Sequence, residues 1–161
     1  MKEKDTKKQQ QIDFDKLLQE KSIEIEVKES TDFLIMQKLD LNNEQPELLQ
    51  LRFLFAKQNV SSDIFIRLVL VGMTKIDLRV VIFAPNAISG ISSKLDMRAL
   101  MLSEDSSIQF VPTLEIDEKE VSVDHKSAIG RPDRAMLQYM LSRGVNEKAA
   151  IGLIADAYLR L

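Results

Sequence analysis

Residues 65–71 read FIRLVLV and residues 76–83 read IDLRVVIF. Apolar and polar positions alternate in the second run, and Gly72 breaks the chain between the two. A period of two is the mark of a strand with one face in the core and one in water. The same period spreads outward. Towards the N-terminus, Ile23, Ile25 and Val27 alternate with Glu24, Glu26 and Lys28, while Leu51, Phe53 and Phe55 flank Arg52, Leu54 and Ala56. Towards the C-terminus, residues 95–102 read LDMRALML, and Val121 with Val123 begins another short strand. Residues 111–116 contain Pro112, which points to a strand start or a sheet edge. The breaks hold turn chemistry: Asn42-Asn43, residues 59–63, Pro85-Asn86, residues 103–107 and Asp117-Glu118.

Four strands share the pattern apolar, Arg, any residue, apolar, at Arg52, Arg67, Arg79 and Arg98. Coils of similar strands stacked on one another would produce such a repeat. Its spacing is irregular, and chance recurrence in β-rich sequence explains it nearly as well. No long helix interrupts the strands, so a sheet of βαβ units is disfavoured. A sandwich or a β-solenoid remains.

Composition narrows the functions. The chain has 161 residues, 45% hydrophobic and 29% charged, which suits one globular domain with a real core. It has no cysteine, so disulfides, zinc ribbons, thiolate ligation and cysteine nucleophiles are excluded. His125 is the single histidine. The net charge of −3 argues against a nucleic-acid-binding face. The N-terminus has no apolar signal-peptide region, and no stretch is long enough to span a membrane. A cytoplasmic protein is the expectation.

The chain divides into a flexible polar tail over 1–20, a β-rich core over 21–130 and a helical segment over 131–161. The tail is polar through Gln11, with a short helical pattern at Ile12, Phe14, Leu17 and Leu18. In the last segment Asp133 caps a helix over Arg134–Ser142, and Gly144 stops it in a left-handed turn. Asn146 caps a second helix. Its Ala149, Ala150, Leu153, Ile154, Ala157, Tyr158 and Leu161 follow helical spacing and are expected to face the core. A second row, Ile151, Ala155 and Leu159, suits either a partner protein or a clasp between the β-body and its neighbour helix.

Chemistry is sparse. There is no P-loop and no GxGxxG. A Ser-His-Asp triad could only use His125, and neighbouring Asp124 and Ser127 do not make one. Glu115, Asp117, Glu118 and Glu120 read as a solvated loop, with a hard-metal site or a carboxylate-lined groove as the minor reading. Met97, Met101, Met136 and Met140 read as core filling. His125 at a strand end reads first as a structural residue; as one of several ligands at an interface it could hold iron. These features favour a binding or scaffold protein over an enzyme.

Three strings change the odds. Residues 99–116 read ALMLSEDSSIQFVPTLEI, residues 121–130 read VSVDHKSAIG, and residues 137–145 read LQYMLSRGV, before a helix ending AYLRL. In order and spacing they resemble the SufB/SufD family of iron–sulfur cluster assembly proteins. The resemblance covers residues 99–159 and is weaker over 63–98. It implies a right-handed parallel β-helix followed by a small helical domain. It also implies dimerisation through the β-helix, as a homodimer or with another SufB/SufD-like chain, and docking of a SufC-like ABC-type ATPase on the C-terminal helices. His125 falls on the histidine of the family's SHG motif, which the resemblance associates with the cluster or iron. Tyr139 falls on an aromatic position of the helical motif, and Arg143-Gly144 on its RG turn. With Ile151 and Leu159 they are the candidates for ATPase docking. No tightly bound cofactor is expected; a transient iron–sulfur cluster is the one candidate.

The chain also departs from the pattern. Val123 stands at the motif's cysteine, Lys126 at its glycine and Gln138 at a phenylalanine. The resemblance therefore implies a short, minimal, cysteine-free member. The alternative is a structural β-solenoid protein that has lost cluster chemistry.

Overall fold

The structure is a computed structural model that describes residues 7–117 and 120–160. Met1–Thr6 of the expected tail, Glu118 of the acidic loop and Leu161 of the helical stripe lie outside the described residues.

Among the described residues the chain runs β1 (Lys8–Gln11), α1 (Phe14–Glu20), β2 (Ser22–Val27), β3 (Thr31–Leu39), β4 (Glu47–Phe55), β5 (Ser61–Leu70), β6 (Lys75–Ala84), β7 (Ile91–Met101), β8 (Ser107–Ile116), β9 (Val121–Gly130), α2 (Arg134–Ser142) and α3 (Glu147–Arg160). Odd-numbered strands form one sheet in the order β1-β3-β5-β7-β9, and even-numbered strands form another in the order β2-β4-β6-β8. Every pairing is parallel. The chain therefore visits the two sheets alternately and winds a β-solenoid of about four turns. One coil takes 28 residues from Ser22 to Gln50 and 32 from Lys75 to Ser107.

This winding accounts for the irregular arginine repeat. Arg67 and Arg98 are register partners in one sheet, while Arg52 and Arg79 lie on the other. Counting along the sequence mixes the two sheets.

Inward residues stack in columns. Phe33, Ile64 and Leu95 form one column, and Ile35, Ile66 and Met97 another; all are buried. From the facing sheet come Leu51, Phe53, Leu78, Val80 and Ile82, also buried. The two faces meet in one core, whose burial drives the fold. One column is polar: Thr31, Ser62 and Ser93 are buried in register, and the Ser62 hydroxyl donates to the Thr31 carbonyl. Tight corners join the strands. Gly90 takes φ +70°, and a Cβ there would lie 2.2 Å from Asn59 Oδ1, so only glycine fits.

Two sequence readings change. Lys8–Gln11, expected in the flexible tail, form β1, because a parallel ladder on β3 satisfies their backbone. The following segment is ordered too: Ile12, Phe14 and Leu17 are buried and α1 lies over the first coil. Asp13 caps α1, its carboxylate accepting from the Asp15 and Lys16 amides. Strand β3 went unread, although Phe33, Ile35 and Leu39 alternate inward; the polar Gln37-Lys38 masks the pattern. Pro112 sits within β8, an edge strand, which is the second of the two places its sequence context allowed. The helical boundaries of α2 agree with the reading, including the Asp133 cap and Gly144 at φ +83°.

Candidate functional site at the open end of the solenoid

The two ends of the solenoid differ. At the first coil α1 covers the core, and β1 is a four-residue polar strand, a short, blunt edge. At the last coil β8 and β9 are each ten residues long and pair on one side only. Their free edges present unpaired backbone groups, and their inward residues have no further coil above them.

The columns make this quantitative. In register, Leu68 and Ala99 are 0% and 1% exposed and the next residue, Ile129, is 44% exposed. On the other sheet Ile82 is 0% exposed and its partner Leu114 is 41%. Ile108, Phe110, Val121 and Val123 are half-buried at the same end. The apolar core is thus left partly open at this end.

His125 belongs to this end. It pairs with Leu95, so it continues the inward column Phe33–Ile64–Leu95. At that column position the three earlier coils carry buried apolar side chains, whereas His125 is exposed. Val123, at the motif's cysteine, continues the hydroxyl column Thr31–Ser62–Ser93. Asp124 and Lys126 alternate outward, beside Lys94 and Asp96 of β7. Among the described residues no group of three or more His, Asp or Glu side chains could hold a metal ion. One chain thus offers an imidazole at its open end and no complete ligand set.

The other candidates lie on the helices, away from that end's edge strands. Exposed Tyr139 carries the Arg143 guanidinium 5.3 Å from its ring centre. The left-handed Gly144 lets Val145 N–H reach the Met140 carbonyl, which sets the turn into α3. Asn146 caps α3 by accepting from the Ala149 amide. The two apolar rows of α3 do not divide as expected. Leu153, assigned to the core, is 56% exposed, while Ala155 is buried and Leu159 packs with it against Val69 and Leu100. Ile151 is half-buried. The seat of α3 therefore draws on both rows: Ile154 and Tyr158 of the expected core row pack there beside Ala155 and Leu159, so the second row serves as the clasp against the β-body. Of the methionines, Met97 is buried, but Met136 is exposed and shares one face of α2 with exposed Tyr139, three residues on, while exposed Leu141 lies on the opposite side of the helix.

A profile of the SUF system FeS cluster assembly SufBD core domain matches residues 7–158. The chain belongs to the SufBD family. An iron–sulfur cluster assembly SufBD family protein of Methanothermobacter thermautotrophicus is 32% identical over 71 residues, which is 44% of this chain and 17% of that one. The iron–sulfur cluster assembly protein SufD of Bacillus subtilis is 35% identical over 68 residues, 42% of this chain and 16% of the relative. A SufBD family protein of Archaeoglobus fulgidus is 31% identical over 71 residues, 44% and 19% of the two chains. The matched stretch spans less than a fifth of each of these relatives. The fold of this SufBD chain is the parallel β-solenoid expected from the motifs. None of its described helices is long and apolar enough to cross a membrane.

One feature of the site escaped the sequence reading. Arg67, Asp96 and Arg98 form a cluster on the outer face of β5 and β7. Arg67 Nη2 donates to Asp96 Oδ2 at 2.9 Å, and Arg98 Nε donates to Asp96 Oδ1 at 3.1 Å. Partial burial alone would raise the Asp96 pKa, but hydrogen bonds from Arg98 and Arg67 outweigh it and hold the carboxyl below its ordinary range. The spacing of 31 between the two arginines was the available signal.

Proposed function

We propose that this chain is a non-enzymatic scaffold subunit of an iron–sulfur cluster assembly complex, acting in the cytoplasm. It pairs end to end with a second SufBD chain through β8 and β9, and it presents α2 and α3 to a SufC-like ABC-type ATPase. The observation that carries the reading is the open last coil. Two ten-residue free edges and exposed inward residues suit pairing with another chain, which would continue the sheets and cover Leu114 and Ile129. Membership of the family supports the cluster-assembly role.

Cluster or iron is cargo in this reading. Among the described residues a single chain brings no group of three metal-binding side chains to the open end, so a site built on His125 there draws further donors from the second chain or from the incoming sulfur and iron. Pairing of two such ends brings two imidazoles to one interface. The exposed face of α2 made by Met136 and Tyr139 is the docking surface proposed for the ATPase.

A second reading has a specific observation behind it. Val123 and Lys126 replace the motif's cysteine and glycine, and no multidentate cluster exists among the described residues. Under that reading the chain pairs and docks but does not touch the cargo. Anaerobic reconstitution with iron and sulfide separates the two. The scaffold reading expects a visible cluster absorption band that is lost in His125→Ala. A band unchanged in His125→Ala, or no band at all, favours the purely structural role. Co-expression with a SufC-like ATPase tests the docking face: co-elution lost in Tyr139→Ala with Met136→Ala supports it, and no co-elution of the unaltered chain removes it.

A further inference from the structure

The polar surface under α3 is satisfied without α3. Arg67 is only 7% exposed, although it points out of the solenoid from β5. Its Nη1 donates to the Ile66 and Asp96 carbonyls, both at 3.0 Å, and its Nη2 donates to the Asp96 carboxylate. Arg98 closes the cluster from β7. Among the described residues every hydrogen bond to Arg67 and Asp96 therefore comes from the β-body. Helix α3 lies against β5 and β3 and adds half-buried Tyr158 beside the cluster, but no counter-charge; Asp156 is exposed. The apolar part of the contact is small, with Ala155 seated on Val69 and Leu100 and flanked by Ile154, Tyr158 and Leu159.

A helix that supplied the partner of a buried arginine would strand that charge on leaving, at a large cost. Here lifting α3 strands nothing. It uncovers Val69 and Leu100, which lie beside a cleft of about 260 Å³ lined by Leu34, Met36, Phe65, Arg67 and Arg160. We propose that α2 and α3 form a detachable arm, which leaves the outer face of β3, β5 and β7 as a unit while the solenoid stays folded, exposing an apolar strip over Leu34, Phe65, Val69 and Leu100. This device is independent of what docks on the arm.

The absence of cysteine makes the test clean, since one introduced thiol reports one position. Val69 and Leu68 are adjacent in β5, both fully buried, the first under α3 and the second in the solenoid core. In the full chain without denaturant, Val69→Cys should react with Ellman's reagent about 100-fold faster than Leu68→Cys, with little dependence on dilute urea, as expected of local opening. Adding Ala155→Asp should accelerate Val69→Cys further and leave Leu68→Cys slow. Equal rates with equal urea dependence would overturn the proposal, as would a Val69→Cys rate indifferent to Ala155→Asp. Should Leu68→Cys fail to fold, inward-facing Ala99→Cys serves as the core position.

Discussion

Asp96 accepts from Arg67 and Arg98 and is the only acidic side chain in its cluster. Its pKa is lowered on folding, so its ionised form stabilises the fold above about pH 4, and that contribution is lost as pH falls through the folded-state value. Asp96→Asn should lower unfolding stability at pH 7 by about 1–2 kcal/mol, since Arg67 keeps its two backbone carbonyls. Urea unfolding should show the deficit narrowing as pH falls below about 4. A deficit that widens in acid would mean the carboxylate is not the favoured form. At this scale the sequence was readable where chemistry is local. Asp133, Gly144 and Asn146 cap and turn the helices as their residue types require. Arg67 and Asp96 were not readable, because their meeting depends on strands β5 and β7 being register neighbours.

Helix α1 and strand β9 are opposite solutions to the same problem, the end of a solenoid. Leu17 of α1 is fully buried over the first coil. Leu17→Ala should cost about 2–5 kcal/mol in urea unfolding. A loss below 1 kcal/mol would show that the first coil does not depend on its lid. The exposed Leu114 and Ile129 at the other end should tolerate change within a single chain: at concentrations low enough to keep the protein monomeric, Leu114→Lys should shift stability by less than about 1 kcal/mol. Strand β9 shows why elements were only partly legible. Its apolar alternation stops at Val123, and only the register with β7 marks His125 and Ile129 as the continuation of inward columns. The rows of α3 were legible only in part, for a related reason. Helical spacing identifies apolar rows, but which row meets the sheet is set by Val69 and Leu100, on strands far away in sequence.

At the scale of the whole molecule, the β-class and the helical tail were visible in period alone, whereas the choice between sandwich and solenoid was not. Alternating strands read alike in both. What separates them is parallel pairing between strands one full coil apart, seen in Arg67 with Arg98 and in Leu95 with His125. The resulting body is asymmetric, closed by α1 at one end and open at the other, with His125 on the open coil. The central claim is that this open end is where a second chain pairs. Sedimentation equilibrium of the purified chain at tens of micromolar, beside the double variant Leu114→Lys with Ile129→Lys, tests it most directly. The account predicts the mass of two chains for the unaltered protein and of one folded chain for the variant. A single-chain mass for the unaltered protein, or a dimer that survives both lysines, would contradict it.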